Sequence, residues 1–206
     1  MFTETDPLLF LGASALFIAA PGPDVIYIIA RGVAQGRKAA LVSAWGVCVG
    51  MLVHTSFAAA GLSALLTRSV VAFQVVEYAG AAYLLCLGAR TLLDKRGFGA
   101  TPQGKPTAGP TKTFLQGVAT NVLNPKVALF FLAFLPQFVD PTKGAAPQLL
   151  ALGLLFVVVG LGVLCAMALF AGAIGELLTE RRGAAEFLRW TMGIVLIALG
   201  LRLALP

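Results

Sequence analysis

Six apolar runs, each long enough to cross a bilayer as a helix, constrain this chain more than anything else in it. They are Pro7–Ala30, Ala39–Thr67, Ser69–Ala89, Phe114–Val139, Gln148–Gly175 and Phe187–Leu205. Their lengths run from 19 to 29 residues, against the roughly 20 helical residues that span a hydrocarbon core of about 30 Å. Lipid offers backbone N–H and C=O groups no partner, so the runs are expected to be helices that satisfy their own backbone. The short alternating segments of a membrane β-barrel do not occur. The chain therefore reads as an all-α integral membrane protein with six transmembrane helices. Only 12% of its residues are charged, about half the share that keeps a soluble domain wet.

Ten of the fifteen basic residues fall in the first, third and fifth connections between runs, and Arg189 at the start of the sixth run makes eleven on that side. That asymmetry places those connections in the cytoplasm and both termini outside. The net charge of +6 does not indicate a nucleic-acid partner, because the basic residues form short tracts at the ends of apolar runs. Residues before Pro7 include Glu4 and Asp6 and no Lys or Arg, so the first run reads as a retained helix rather than a signal peptide. Cys48, Cys86 and Cys165 lie apart, each inside an apolar run, and read as reduced thiols packed as small hydrophobes.

A stretch rich in Gly, Pro and Lys, residues 94–113, cuts the chain near its middle and is expected to be a flexible cytoplasmic linker. It leaves three runs in residues 1–93 and three in residues 114–206. An odd number per half means that the second half enters the membrane from the opposite face, which is the arithmetic of two inverted three-helix repeats. Phe10-Leu11 precedes Pro21 as Phe114-Leu115 precedes Pro125, with the same spacing.

Two runs are broken near their midpoints. The first carries Pro21-Gly22-Pro23-Asp24, the fourth Asn124-Pro125-Lys126. Proline removes a backbone donor and clashes with the carbonyl one turn earlier, so each site should kink or unwind its helix. The carbonyls this frees must face protein or water, which marks a cavity. A charge follows each break, and a charge at mid-membrane costs about 2.5–3.5 kcal/mol even on lenient scales. Two functions would justify it: Asp24 and Lys126 hold the two ends of a zwitterionic amino acid, or they pair with each other. His54, the only histidine, is a candidate proton carrier or a bond to a neighbouring helix. Glu77 is a candidate for proton coupling, for pairing with Arg68, or for snorkelling to the interface. Gly46-x-x-x-Gly50, Gly153, Gly160, Gly162, Gly193 and Gly200 read as close helix–helix contacts. Trp45, Trp190, Tyr27, Tyr78 and Tyr83 read as interface anchors.

Pro21-Gly22-Pro23-Asp24, Arg31-Gly32 with Gly36, Gly46-x-x-x-Gly50, Gly80-Ala81-Ala82-Tyr83-Leu84-Leu85, Asn124-Pro125-Lys126 and Gly193 with Leu199-Gly200-Leu201 together resemble the lysine exporter (LysE) and homoserine/threonine exporter (RhtB) family over essentially the whole chain. The resemblance implies an inner-membrane exporter of amino acids or close derivatives, energised by the proton gradient or the membrane potential, with no cofactor. It implies an amino-acid substrate, protons and lipid as partners, and leaves homo-oligomerisation open. Carried over by motif, Pro21, Gly22, Pro23, Asp24, Asn124, Pro125 and Lys126 are the substrate-binding candidates; His54, Asp24 and Glu77 are those for proton coupling. Glu77 is a departure, since relatives often place a basic residue just before the Gly-Ala-x-Tyr-Leu segment.

The rivals fit less well. One histidine, no CxxC pair and no acidic cluster leave little for a membrane enzyme. Cys48 and His54 lie on different helix faces, which disfavours a metal exporter. Charges of opposite sign at mid-membrane suit a gated binding site better than the open pore of a passive channel, and a structural subunit gives the paired breaks and their charges no reason. Near-balance of acid and base within the runs favours a neutral substrate such as threonine, homoserine or leucine.

Overall fold

The computed structural model describes residues 7–62, 70–93, 109–140, 142–180 and 182–204. Nine α-helices occur among them: α1 (Pro7–Ala19), α2 (Pro23–Gln35), α3 (Arg37–Phe57), α4 (Val70–Leu93), α5 (Pro110–Val122), α6 (Pro125–Ala133), α7 (Ala145–Leu169), α8 (Ala171–Glu180) and α9 (Arg182–Ala204). A π-helical turn, Ala58–Leu62, extends α3, and a 3-10 turn, Leu135–Phe138, extends α6. No strand occurs among the described residues.

Arg37–Gly61 and Ala145–Leu169 are long and apolar enough to cross a membrane unbroken. Two further spans exist if each broken pair counts as one: α1 with α2, bent by 56°, and α5 with the α6 segment to Phe138, bent by 48°. The described structure thus holds two to four candidate spans. Helices α4 and α9 occupy the third and sixth apolar runs.

Several sequence boundaries shift. Helix α2 does not stop at Ala30 but carries Arg31 and continues to Gln35. One residue, Gly36, then turns the chain into α3, at φ 81°, a left-handed backbone that suits glycine. Residues 110–113, expected in the linker, form the first turn of α5, because Pro110 has no N–H to lose at the first helical position. The fifth run ends as a helix at Leu169; α8 follows after Phe170 and packs on α2, where Gly32 lies against Ala171. Linker residues 94–108 and Arg68 lie outside the described residues, as does the side chain of Glu77.

Helix α3 is the central post, packed on α5, α7 and α2. Gly46 sits against the Phe114 carbonyl and the Cα of Gly117. Gly50 sits against Asn121, Gly153 against Thr55 and Gly160 against Met51. Gly162, expected at such a contact, faces open space. Helix α7 in turn packs on α1. Helices α4 and α9 form a separate close pair, with Gly88, Gly193 and Gly200 in the seam, and α4 leans on α6. Val71, Val75, Tyr78, Cys86 and Leu93 make an exposed apolar stripe along α4, as a helix facing acyl chains requires. Cys86 is thus exposed rather than packed, whereas Cys48 is buried.

Candidate functional site

Both breaks begin with the same covalent fact. An α-helical carbonyl accepts from the N–H four residues later, and proline has none. Pro21 therefore orphans the carbonyl of Phe17, and Pro125 that of Asn121. A buried orphan carbonyl costs about 1–3 kcal/mol, so each must find another donor.

The donors come from distant helices. Lys126 on α6 reaches back to α1, where its Nζ donates to the carbonyls of Phe17 and Ala20, both at 2.8 Å. The ammonium also lies 4.5 Å from the centre of the Phe17 ring, a cation–π distance. It occupies the carbonyl end of α1, where the helix dipole favours positive charge. At the second break, His54 Nε2 on α3 lies 3.0 Å from the Asn121 carbonyl. A carbonyl can only accept, so that nitrogen carries the proton. The backbone N–H of Asn124 donates to the same oxygen at 2.9 Å, as that of Ala20 does to the Phe17 oxygen at 3.2 Å.

The residues after each break start new helices. Gly22 is extended and caps α2, with Pro23 at its first position. Asn124 caps α6, its side-chain oxygen accepting from the Lys126 N–H at 3.0 Å. That leaves the Asn124 amide nitrogen to donate to Asp24 Oδ2 at 2.9 Å, and Asn121 donates to the same oxygen at 2.8 Å. Asp24 Oδ1 is buried with no hydrogen-bond partner among the described residues. Asp24 is 8% exposed and Lys126 5%.

Asp24 and Lys126 make no direct ion pair; the salt bridges among the described residues are Lys143–Asp140 and Arg189–Glu186. Both instead line one small cavity with Phe17, Gly22 and Asn124, closed in by Ile18, Val25, Met51, Val127, Phe156 and Leu164. It has room for about one water molecule, too little for an amino acid, so the site is closed in this conformation. Pro21 and Gly22 are half-buried, while Pro23 and Pro125 are exposed. The prolines thus shape the backbone, and the polar residues beside them face inward. His54 bonds to a neighbouring helix, as one of its two readings had it.

Five features escaped the sequence reading. Asn121 was legible in principle, as the residue one turn before Pro125. The carbonyls of Phe17 and Ala20 were not. Tyr27, expected to anchor at the interface, donates its hydroxyl to the Thr113 carbonyl at 2.7 Å, and Arg31 donates to Gln116 Oε1 at 2.5 Å. A column of packed rings, Phe10, Phe17, Phe130, Phe134 and Phe138, some stacked and some edge-on or tilted, joins α1 to α6 and the turn after it.

No group of three or more His, Cys, Asp or Glu side chains able to hold a metal occurs among the described residues. The arrangement is a closed polar site at the meeting of two broken apolar helices. The family profile described as LysE type translocator matches residues 15–206. A leucine efflux protein of Klebsiella pneumoniae is 31% identical over 204 residues, covering 96% of this chain and 93% of the relative. A homoserine/homoserine lactone efflux protein of Salmonella typhimurium is 31% identical over 164 residues, 79% of this chain and 78% of the relative. An uncharacterised membrane protein of Vibrio cholerae is 30% identical over 169 residues, 82% of each. No solved structure matches. With the profile spanning nearly its whole length and its relatives named for efflux, this chain belongs to the LysE type translocator family and is a transporter rather than an enzyme.

Proposed function

We propose that this chain is a secondary-active exporter of neutral amino acids, with leucine, threonine and homoserine as the leading candidates. It carries them across the inner membrane, driven by the proton gradient or the membrane potential. One observation carries the reading: a buried acid and a buried base, Asp24 and Lys126, not bonded to each other, share one cavity between two broken helices. An amino acid brings one positive and one negative end, and a site with one charge of each sign matches it and leaves no net charge in the membrane. Apart from Asn124 the remaining wall is apolar, which suits leucine over a cationic side chain. Asp24 Oδ1, lacking a partner, is where a coupling proton would reside. His54 and Glu77 are the further candidates for that role.

In this proposal the chain crosses the membrane six times as two inverted repeats, residues 1–93 and 114–206 about the linker 94–113, with both termini outside. The packing supports it: the middle helix of each half leans on the first segment of the other half's broken pair, α3 on α5 and α7 on α1. Both breaks also solve the same orphan-carbonyl problem with a donor from another helix.

Flux of labelled leucine, threonine, homoserine and lysine into inside-out vesicles tests the function. Wild type should accumulate a neutral amino acid saturably, and Asp24→Asn should lower that flux at least about tenfold, equivalent to about 1.4 kcal/mol of lost site energy. No uptake of any amino acid by wild type, or undiminished uptake by the variant, rejects the reading. Flux that survives a dissolved proton gradient and a clamped potential removes the coupling.

Two closures bound the cavity, and alternating access requires each to open in turn. One is the phenylalanine column; the other is the pair of bonds Tyr27–Thr113 and Arg31–Gln116, which lash α2 to α5. Removing both bonds with Tyr27→Phe and Gln116→Ala costs about 1 kcal/mol for each. In a background without native cysteines, a cysteine placed at Val25 should then react about tenfold faster with a water-soluble thiol reagent. An unchanged rate means that these bonds do not hold the site shut.

A further inference from the structure

Lys126 does at the first break what the His54 imidazole does at the second, each beside a backbone N–H three residues on, Ala20 at 3.2 Å and Asn124 at 2.9 Å. The Asn121 carbonyl is satisfied by His54 and Asn124 without any lysine. Capping an orphan carbonyl therefore does not by itself call for a buried ammonium, whose desolvation costs several kcal/mol. Yet the carbonyl end of α1 is built for one. The Phe17 and Ala20 carbonyls converge on the nitrogen from 2.8 Å each, and the Phe17 ring covers it at 4.5 Å. Asp24 lines the same cavity. Gly22 leaves the approach open: a Cβ there would stand 3.2 Å from Lys126 Cδ and 3.5 Å from Nζ.

We propose that the carbonyl end of α1 is a primary-ammonium site, filled by the side chain of Lys126 in the closed state and by the α-ammonium of the substrate in the loaded state. This rests on the amino-acid reading above and adds which atoms receive the amine. The exchange is electrically neutral. The incoming ammonium takes the Phe17 and Ala20 carbonyls, and Lys126, displaced on its flexible stem, meets the substrate carboxylate. No bond to a carbonyl is left unmade in either state, so the exchange avoids the penalty of an unsatisfied buried group. A substrate with a blocked amine cannot displace the lysine, and the site stays closed.

The test uses ethylammonium, with tetramethylammonium as a cation of the same charge that cannot donate a hydrogen bond. In purified full-length Lys126→Ala, ethylammonium should fill the vacated site and raise the melting temperature saturably, as a ligand of the folded state does. Tetramethylammonium at equal ionic strength should not. No response, or an equal response to both ions, overturns the ammonium site. Should Lys126→Ala fail to fold, wild type decides in proteoliposomes: ethylammonium inside should at least double the apparent KM for exported leucine and leave the maximal rate unchanged. Inhibition that lowers only the maximal rate, or no inhibition, overturns the proposal. If wild type moves no amino acid while Lys126→Ala still binds ethylammonium selectively, the substrate assignment fails and the ammonium site stands. If amino acids are exported and ethylammonium acts nowhere, the reverse holds.

Discussion

In Lys126→Met, amino-acid export is expected to fall about a hundredfold, equivalent to about 2.7 kcal/mol, while the protein still inserts and accumulates. Methionine keeps all but one atom of the side chain's length and should pack among Phe17, Val127 and Phe156 on the cavity wall. It removes the ammonium that reaches the Phe17 and Ala20 carbonyls. It also removes the positive charge that Lys126 places on that wall, so in the proposed mechanism the carboxylate of a bound zwitterion loses its partner. Losing a buried hydrogen bond from a charged donor costs about 1.5–3 kcal/mol, the size of the predicted loss. Lys126→Arg should restore only part of the flux. The guanidinium is a wide planar fork, and Gly22 leaves a channel fitted to a narrow stem. Steady-state export from proteoliposomes, normalised to inserted protein, gives the comparison. Wild-type flux from Lys126→Met would remove the lysine from the mechanism.

The second large effect is structural. Gly117→Val is expected to destabilise the protein by about 3 kcal/mol, at the upper end of overpacking penalties. A Cβ at Gly117 would stand 2.6 Å from the Ser43 carbonyl oxygen and 3.2 Å from the Cα of Gly46. These neighbours are backbone atoms of α3, so no side chain can rotate away, and α3 must move off α5 as a body. That crossing also holds His54 to the Asn121 carbonyl and sets Gly50 against Asn121. The damage should therefore reach the site and lower the flux of whichever amino acid the wild type exports. Gly162→Ala is the control, since nothing lies within 4 Å of a Cβ there; it should melt at or slightly above wild type, because alanine is the better helix former. Thermal unfolding in detergent measures both, and a Gly117→Val protein that melts with wild type would show that the α3–α5 seam tolerates spreading.

Much of the fold was legible because its signals are local. Apolar run length gave the helices, and the prolines at 21 and 125 gave the two breaks, found as bends of 56° and 48°. Gly46 and Gly50 marked the close approach of α3, since a small residue every fourth position makes a smooth face. Boundaries were less legible. Polar residues at the edge of an apolar run say nothing about where a helix stops, so α2 was read as ending before Arg31 and α5 as beginning after Thr113. Tyr27 was read as an interface anchor from its place near a run end; its hydroxyl is used instead at a contact between two helices.

The amino-acid order by itself determined that the backbone would break at two places and leave carbonyls without donors there, because the missing N–H is a covalent property of proline and needs no neighbours. Which groups make good the loss was decided only when the helices packed. Lys126 finds Phe17 and Ala20 across more than a hundred residues, His54 finds Asn121 on α5, and Asp24 takes the amides of Asn121 and Asn124 rather than the lysine. Local chemistry creates an unsatisfied atom, but the partner is whatever the crossing of distant helices brings within 3 Å of it.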